Sequence, residues 1–234
     1  METWFTFGET SLSGHFADGP DLKVHTESER IGNCRLVTYA GTACIPACTP
    51  TELCVEGECR AWPTRVDHGT LHWVWPDGDK MLEPSALLTY YGTGAASTLG
   101  GASINVGGMT LEAPTVDRPK ADGDWSEILH SRQAGTDAVL RWTNPVANAR
   151  VRVYMTDCIG SHGGFAPAEI ECEGPDTGEL VLPGTFLDTL EAGDWTHGDC
   201  GSHTFERYHS GTVVGDDSVR FETVSDAGFF YFPD

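Results

Sequence analysis

The feature that most constrains this chain is a set of four cysteines between Cys44 and Cys59, spaced C-x3-C-x5-C-x4-C. These sixteen residues are too few to fold on an apolar core of their own, so covalent bonds or a metal must hold them together. A zinc site typically uses close C-x2-C pairs with His or Cys partners, and a redox pair uses the same C-x-x-C spacing. This spacing is absent from the chain. The spacing therefore predicts two disulfides, each stabilising the fold by about 2–4 kcal/mol.

The pairing of these four cysteines is less constrained than their presence in disulfides. Four cysteines can pair in three ways. We expect the alternating pairing, Cys44 with Cys54 and Cys48 with Cys59, and the other two pairings stay open. Gly57 suits the tight hairpin that this arrangement needs.

The remaining four cysteines bring the total to eight, and this even number favours complete pairing in an oxidising compartment. A predicted β-hairpin in the second half of the chain places Cys172 opposite about Arg152 rather than Cys158, because paired positions sum to a constant. We therefore expect Cys158 to pair with Cys200, and Cys34 to pair with Cys172. The second bridge would join the front of the chain to its back half.

The rest of the sequence has the pattern of an all-β protein. Short segments of alternating apolar and polar residues recur between turns rich in glycine, proline and aspartate. With 28 glycines and no long helical period, this pattern predicts an antiparallel β-sandwich, Ig-like or jelly-roll-like. The predicted strands are residues 4–7, 22–26, 35–39, 69–75, 102–106, 109–113, 138–143, 149–155, 168–172, 179–182, 205–208, 218–224 and 229–232. Gly107-Gly108 predicts a hairpin turn between two of them, and the Gly/Ser/Ala-rich residues 92–101 predict a loop.

One short helix and three regions complete the predicted architecture. Phe186, Leu187 and Leu190 share a face after Pro183, and Gly193 can end the helix. We expect residues 1–43 to supply strands of the sandwich and residues 63–234 to form its main part. Residues 44–62, called here the disulfide module, are a small disulfide-knotted insertion.

Charge and hydropathy limit the classes of partner and the cellular locations that this chain can have. The formal net charge is −21, which argues against nucleic-acid binding because phosphate contacts need clustered Lys or Arg. No stretch reaches the roughly 18 apolar residues of a membrane span. Residues 1–4 lack the features of a signal peptide, so we expect that a leader was removed. The predicted location is secreted, periplasmic or lipid-anchored at the outer surface, with any anchor cysteine upstream.

The order of several short motifs carries a resemblance. They are Gly32-Asn-Cys-Arg35, the disulfide module, Gly69-Thr-Leu71, Leu140-Arg-Trp142, His162-Gly163, Ile170-Glu-Cys-Glu173, Asp176-Thr-Gly178 and Leu182-Pro183 before the predicted helix. This order resembles a set of secreted or lipid-anchored bacterial proteins of unknown function, in which a cysteine-rich module precedes a β-sandwich. The resemblance implies export and a β fold, and it implies no activity and no site residue.

A histidine-rich segment is the candidate transition-metal site. His197 and His203 flank Cys200, and His209 follows six residues later. A free Cys200 among these imidazoles would offer the donor set of a copper or zinc site. The alternative is that Cys200 is in a disulfide and the histidines lie in a polar loop, which the even cysteine count favours.

Two other groups of residues are candidate ligand sites. Asp122 and Asp124 offer oxygens at alternate positions as calcium ligands do, but Glu127 occupies the sixth position, where an EF-hand loop needs glycine. The alternative there is a solvated turn. Trp73 and Trp75 alternate along a predicted strand and face one side, where they can stack on sugar rings or pack in the core.

No Gly-x-Ser-x-Gly, His-Glu-x-x-His or phosphate-loop motif occurs. The lead prediction is therefore an exported, non-enzymatic binding or structural protein at or outside the bacterial cell surface, with a protein or glycan partner. The alternatives are a copper- or zinc-binding protein or metalloenzyme, and a carbohydrate-binding module; calcium or a transition metal are the candidate cofactors. Self-assembly is a further option because sheets have edges, but we expect residues 4–7 and 229–232 to pair within one chain.

Overall fold

The described part of the chain is mostly β, and its strands pair antiparallel. The computed structural model describes residues 2–8, 11–19, 25–39, 44–55, 57–75, 78–93, 102–113, 117–156, 168–191, 203–214 and 222–229. In the first half the strands are β1 (Glu2–Gly8), β2 (Ser11–Ala17), β3 (His25–Ile31), β4 (Cys34–Tyr39), β5 (Glu52–Val55), β6 (Glu58–Ala61), β7 (Leu71–Trp75), β8 (Gly78–Leu82), β9 (Tyr90–Thr93), β10 (Ala102–Val106) and β11 (Met109–Ala113). In the second half they are β12 (Ala138–Arg141), β13 (Arg150–Thr156), β14 (Ala168–Pro175), β15 (Glu179–Leu182), β16 (His203–Ser210), β17 (Thr212–Val214) and β18 (Glu222–Phe229), with helices α1 (Trp125–His130) and α2 (Gly184–Glu191).

The hairpin of β10 and β11 forms at the two glycines that predicted it. Its register runs from Ala102 opposite Ala113 to Val106 opposite Met109. Gly107 and Gly108 have φ of +56° and +82°, and a two-residue turn of this kind needs positive φ at both positions. Glycine adopts this conformation without a steric cost, so the turn fixes the register of the hairpin.

A six-stranded antiparallel sheet, in the order β18-β16-β13-β14-β4-β3, is the largest in the described residues. Val153 of β13 lies opposite Cys172 of β14, so the sequence-based register was wrong by one residue. On the other side of β14, Cys34 of β4 lies opposite Cys172, and the two form a disulfide. This bond joins strands that are 138 residues apart in sequence.

The inner face of this sheet covers the first of two apolar cores. Every second residue of β13, such as Val151, Val153 and Met155, points into it. The two-stranded sheet of β12 and β15 and both helices supply the rest. Trp142 and Trp125 pack in this core against Phe205, with ring centroids 4.9 and 4.7 Å away. Burial of these large rings is a main source of stability for this half of the fold.

A second core is formed by buried residues of two other sheets. The five-stranded sheet has the order β17-β11-β10-β7-β8, and the three-stranded sheet has the order β1-β2-β9. Leu12, Phe16 and Tyr90 come from the smaller sheet, and Trp73 and Ile104 come from the larger one. All five are at most 1% exposed. The two cores are therefore built from different sets of strands.

Helix α2 was predicted, but the prediction of a single helix is wrong because α1 also forms. Asp124 caps α1: its Oδ1 accepts hydrogen bonds from the amides of Ser126 at 2.9 Å and Glu127 at 3.3 Å. Trp125 and Leu129, four residues apart, bury one side of this six-residue helix. Such a short helix depends on its cap and its tertiary packing more than on its own propensity.

Strand β9 overlaps the start of residues 92–101, a segment predicted to be loop. Gly92 lies in β9, and a Cβ atom on it would be 2.7 Å from Cδ2 of Leu82. Glycine is therefore a packing requirement in this strand rather than a loop signal. Predictions for residues 22–24, 94–101, 218–221 and 230–232 lie outside the described residues. Among the helices that the structure describes, none has the length and apolarity to cross a membrane.

Candidate functional site

The disulfide module is a short hairpin closed by two disulfides. In the ladder of β5 and β6, Cys54 lies opposite Cys59. Cys44 is bonded to Cys54 and Cys48 to Cys59, which is the alternating pairing expected from the sequence. Each bond joins one cysteine of the preceding loop to one strand of the hairpin, so the loop cannot separate from the strands while both bonds are intact.

Hydrogen bonds to Glu52 order the entry to the hairpin. Its Oε2 accepts from the Thr49 hydroxyl at 2.7 Å and from the Thr49 amide at 3.1 Å. The hydrogen bond from the hydroxyl, followed by the one from the amide, lowers the pKa of Glu52 because both stabilise the carboxylate. At the same open end of the hairpin, the Trp62 amide donates to the Thr51 carbonyl at 3.1 Å.

The module is fastened to the rest of the fold through its C-terminal end. The Asp18 amide donates to the Thr64 carbonyl at 3.0 Å, and the Thr64 amide donates to Oδ1 of Asp18 at 2.7 Å. The Val66 amide donates to the Phe16 carbonyl at 2.9 Å. These bonds fix the residues after the module to the end of β2, the central strand of the three-stranded sheet.

Two large apolar side chains of the module face solvent. Ile45 is 94% exposed and Trp62 is 47% exposed. Ile45 follows Cys44 directly, in a loop that both disulfides hold, so its side chain is presented on a restrained backbone. A restrained loop loses little entropy when a partner binds, and tryptophan is a frequent anchor in protein interfaces. Each of these two side chains can therefore serve as a contact for a partner.

The sulfur atoms of the module converge. The Sγ atoms of Cys44, Cys48 and Cys59 all lie within 4.8 Å of one another. Cys54 completes the group, because its Sγ is bonded to that of Cys44 at 2.04 Å. Four sulfurs in so small a volume are a donor set that thiophilic metals use, although here all four are in disulfides.

The outer face of the six-stranded sheet carries rows of paired charges that sequence reasoning missed. Arg35 donates through Nε to Glu171 at 2.6 Å, and Arg150 donates through Nε to Glu173 at 2.9 Å. Arg152 donates to Glu206 on the neighbouring strand. Period-two alternation places these residues on one face, but only the register puts opposite charges beside each other.

Tyr208 is enclosed within this charged face. Its hydroxyl donates to Glu173 at 2.6 Å and accepts from Nε of Arg150 at 2.9 Å, and Cζ of Arg152 lies 4.8 Å from its ring centroid. Burial, followed by the hydrogen bond to Glu173, raises the pKa of Tyr208 to about 12. Burial acts to raise the pKa of Glu173, but the hydrogen bonds from Tyr208 and Arg150 outweigh it and lower that pKa. The charges satisfy one another, so we interpret this face as structural.

A buried ion pair joins four parts of the chain below the same sheet. Arg207 is 0% exposed, and its Nε lies 2.7 Å from Oδ2 of Asp176. This N–H is poorly aligned for a hydrogen bond, so the contact acts mainly through charge. The other guanidinium nitrogens donate to the carbonyls of Asp117 at 2.7 Å and Asn144 at 2.6 Å. Oδ1 of Asp176 accepts from Nε1 of Trp142 at 2.6 Å.

The predicted histidine site is divided by strand β16. His203 and His209 are six residues apart on this strand, so their Cα atoms are about 20 Å apart and they cannot bind one ion together. His203 is 1% exposed and lies on the same face of β16 as Phe205 and Arg207. His197 lies outside the described residues, as do Cys158 and Cys200, and a site made by His197 with His203 stays a prediction.

The predicted calcium and sugar ligands have other structural roles. Asp124 caps α1, and the amide of Asp122 donates to the Arg141 carbonyl at 2.8 Å. Calcium binding at these two residues stays a prediction. Trp73 is a correction: it is 1% exposed, because it fills the core between two sheets, so its ring cannot stack on a sugar. Trp75 is half-buried against the same core, 4.6 Å from Trp73 between ring centroids.

The two apolar end segments lie close together within one chain. Cα atoms of β1, which contains residues 4–7, approach those of β18 within 8 Å. The second segment is described only as far as Phe229. Self-assembly through these ends stays untested.

In comparisons with protein-family models, curated proteins and solved structures, nothing matches this chain.

Proposed function

We propose that this chain is an exported, non-enzymatic binding or structural protein that acts at or outside the bacterial cell surface, and that it binds its partner through the disulfide module. The observation that supports export is the set of three disulfides in the described residues. Disulfides persist in oxidising compartments and are rare in a reducing cytosol. The module in particular depends on them, because its hairpin strands are only four residues long.

The surface proposed for binding is the exposed apolar part of the module. Ile45 and Trp62 are apolar side chains whose backbone is fixed by disulfides and by the bonds to β2. Such a surface is preorganised, since the conformational cost of ordering it is already met in the free protein. A protein partner with an apolar contact area fits it better than a cationic one does, although the acidic chain would add long-range attraction for basic partners.

Export is tested by the thiol state in the producing cell. Intact bacteria are quenched in acid, alkylated under denaturing conditions and analysed by mass spectrometry. We expect no alkylation at the six cysteines that the structure pairs. Alkylated Cys48 or Cys59 in chains from untreated cells would overturn the proposal, because the module would then be held in a reducing compartment.

Binding is tested with purified protein and isolated cell envelopes of the producing bacterium. We expect saturable binding that is lost in Ile45→Asp and weakened in Trp62→Ala. The matched control is Val214→Asp, which changes another apolar side chain that is 63% exposed but lies on β17. Equal loss in the control variant would show that charge, rather than this surface, governs binding.

We also propose that the three-stranded and five-stranded sheets pack face to face as an antiparallel β-sandwich, Ig-like or jelly-roll-like. The support is their shared core, to which both sheets contribute fully buried side chains. Sheets that pack in this way lie about 10 Å apart. An experimental structure in which the two sheets meet edge to edge would contradict this proposal.

A further inference from the structure

We propose that the disulfide module becomes a zinc site when its two disulfides are reduced, with Cys44, Cys48, Cys54 and Cys59 as the four ligands. The proposal concerns the reduced chain, and it stands or falls independently of the binding role. It rests on the convergence of the four sulfurs and on the way the backbone presents them.

The sulfur positions are close to those of a tetrahedral site. With Zn–S bonds of about 2.3 Å, neighbouring sulfurs in a tetrahedral site are about 3.8 Å apart. The Sγ atoms of Cys44, Cys48 and Cys59 already lie within 4.8 Å of one another. Reduction breaks both S–S bonds, and rotation of the side chains can then bring the four sulfurs to the zinc spacing.

The order of the ligands along the chain also fits. The C-x2-C pair is absent, but zinc ligand pairs also occur with three or four intervening residues. Three residues separate Cys44 from Cys48, and four separate Cys54 from Cys59. The first pair lies in the loop, and the second occupies opposite positions of the hairpin. The two disulfides each join one member of the loop pair to one member of the hairpin pair. The same two chain segments would therefore meet around a metal as they now meet around the disulfides.

The chemistry balances with a dithiol as the reductant. Each protein disulfide takes up two electrons and two protons and becomes two thiols, while the dithiol loses them and becomes a disulfide. Zinc then binds the thiolates, and the thiol protons are released to solvent. Reoxidation by a disulfide, which is itself reduced to two thiols, takes two electrons from each thiolate pair, restores the bond and expels the metal. Zinc and the disulfides are therefore alternative ways to hold one hairpin.

Exposure favours selective reduction of the module. Cys59 is exposed, so a reductant can reach its bond to Cys48. Cys34 and Cys172 are 1% and 0% exposed, which protects their bond inside the six-stranded sheet. Cys44 is 9% exposed and Cys54 is half-buried, so mild reduction should open the Cys48–Cys59 bond first and the Cys44–Cys54 bond before the bond in the core.

The test uses the full chain, reduced without denaturant under anaerobic conditions by a water-soluble phosphine. The phosphine is oxidised to its oxide with an oxygen from water, and it avoids a competing dithiol chelator. Zinc binding is measured by competition with a chromogenic chelator, and Co²⁺ is used as a spectroscopic probe. We expect about one metal ion per reduced chain and none in the oxidised chain, with thiolate-to-cobalt charge-transfer bands and the intense visible bands of a tetrahedral site.

Variants assign the ligands. Cys59→Ala should weaken zinc binding by about 100- to 1,000-fold. This factor corresponds to losing about a quarter of the apparent binding energy of a four-ligand structural site. Cys34→Ala/Cys172→Ala and His203→Ala serve as controls and should bind zinc as the reduced parent chain does. A second measurement needs no variant: zinc binding by thiols should release protons, and its apparent affinity should rise with pH towards the thiol pKa of about 8.5.

Several results would overturn the proposal. One is a reduced chain, confirmed by alkylation at all four module cysteines, that binds no zinc. Another is undiminished zinc binding in reduced Cys59→Ala. Loss of binding in His203→Ala, with Cys59→Ala unaffected, would instead assign the metal to the histidine segment.

Discussion

Replacement of Arg207 by methionine tests the buried ion pair as a structural lock. Methionine keeps an unbranched stem of similar length but removes the charge and every donor. Arg207 is 0% exposed, with Asp176 at 2.7 Å and with carbonyls of residues 117 and 144 as further partners. Removal of one member of a buried pair leaves an uncompensated charge and costs about 3–5 kcal/mol. For a chain of this length, that loss lowers Tm by about 6–20 °C.

The assay is urea unfolding of the disulfide-intact chain, followed by tryptophan fluorescence. Trp142 is a suitable reporter because its Nε1 donates to the same carboxylate. The matched control is Arg141→Met, which removes an ion pair with Glu179 in which both side chains are 55% exposed and 3.5 Å apart. An exposed pair of this kind contributes less than about 1 kcal/mol.

A double variant separates charge from packing. In Asp176→Leu/Arg207→Met no charge is left without a partner, so its loss of stability should be smaller than the sum of the two single losses. A loss below about 1 kcal/mol in Arg207→Met, or strict additivity of the two changes, would refute the reasoning. Either result would mean that water or another group compensates the charge of Asp176.

Three further predictions follow from single residues. Asp124→Ala should lower the unfolding free energy by about 0.5–2 kcal/mol through loss of the helix cap, equally in calcium and in chelator; a larger loss in calcium would show that Asp124 binds the ion. Gly184→Ala should cost about 1–3 kcal/mol in urea unfolding, because the new Cβ would lie 2.4 Å from the Thr136 carbonyl oxygen, and an unchanged midpoint would contradict that close approach. The pKa of Tyr208 is raised to about 12 by burial and by its hydrogen bond to Glu173, above its unfolded value of about 10. Its contribution to stability is therefore complete below about pH 10 and lost as the pH rises to about 12, so alkaline unfolding curves of Tyr208→Phe should lack this loss.

The parts of the fold that the sequence predicts are those set by local chemistry. The double glycine fixed the hairpin of β10 and β11, and the closely spaced cysteines restricted the module to a few pairings. The pairing of Cys34 with Cys172 was reached by elimination from a hairpin register. The predicted register was one residue away from the observed one, since Val153 of β13, rather than Arg152, lies opposite Cys172 in the ladder. Excluding Cys158 as the partner of Cys172 still left Cys34 and Cys200, and the structure bonds Cys172 to Cys34.

The site residues were harder to predict because their roles depend on distant neighbours. Asp124 has the same sequence signal whether it binds calcium in a turn or caps a helix, and the burial of Trp125 and Leu129 favours the helix. Trp73 alternates as a surface aromatic would, but it belongs to a strand that has a sheet packed over it. In both cases the local pattern gave the direction of the side chain, and tertiary packing decided what the side chain meets.

Arg207 shows how a sequence signal for a buried charge can be used. Successive side chains of a strand point to opposite faces, so an inward Phe205 places Arg207 of β16 on the same face, towards the core. A guanidinium there is tolerated only if an anion and carbonyl oxygens meet it, because the desolvation cost of an unpaired charge is several kcal/mol. The pattern thus predicts a buried acid, and the 35 acidic residues supply the candidates. The topology selects Asp176, because the turn after β14 meets the loop before β13 on the inner side of β16. Nε1 of Trp142 and the Val146 amide donate to its carboxylate and hold it in place. An inward arginine in a strand is therefore a marker for the point at which separate segments of a β fold are joined.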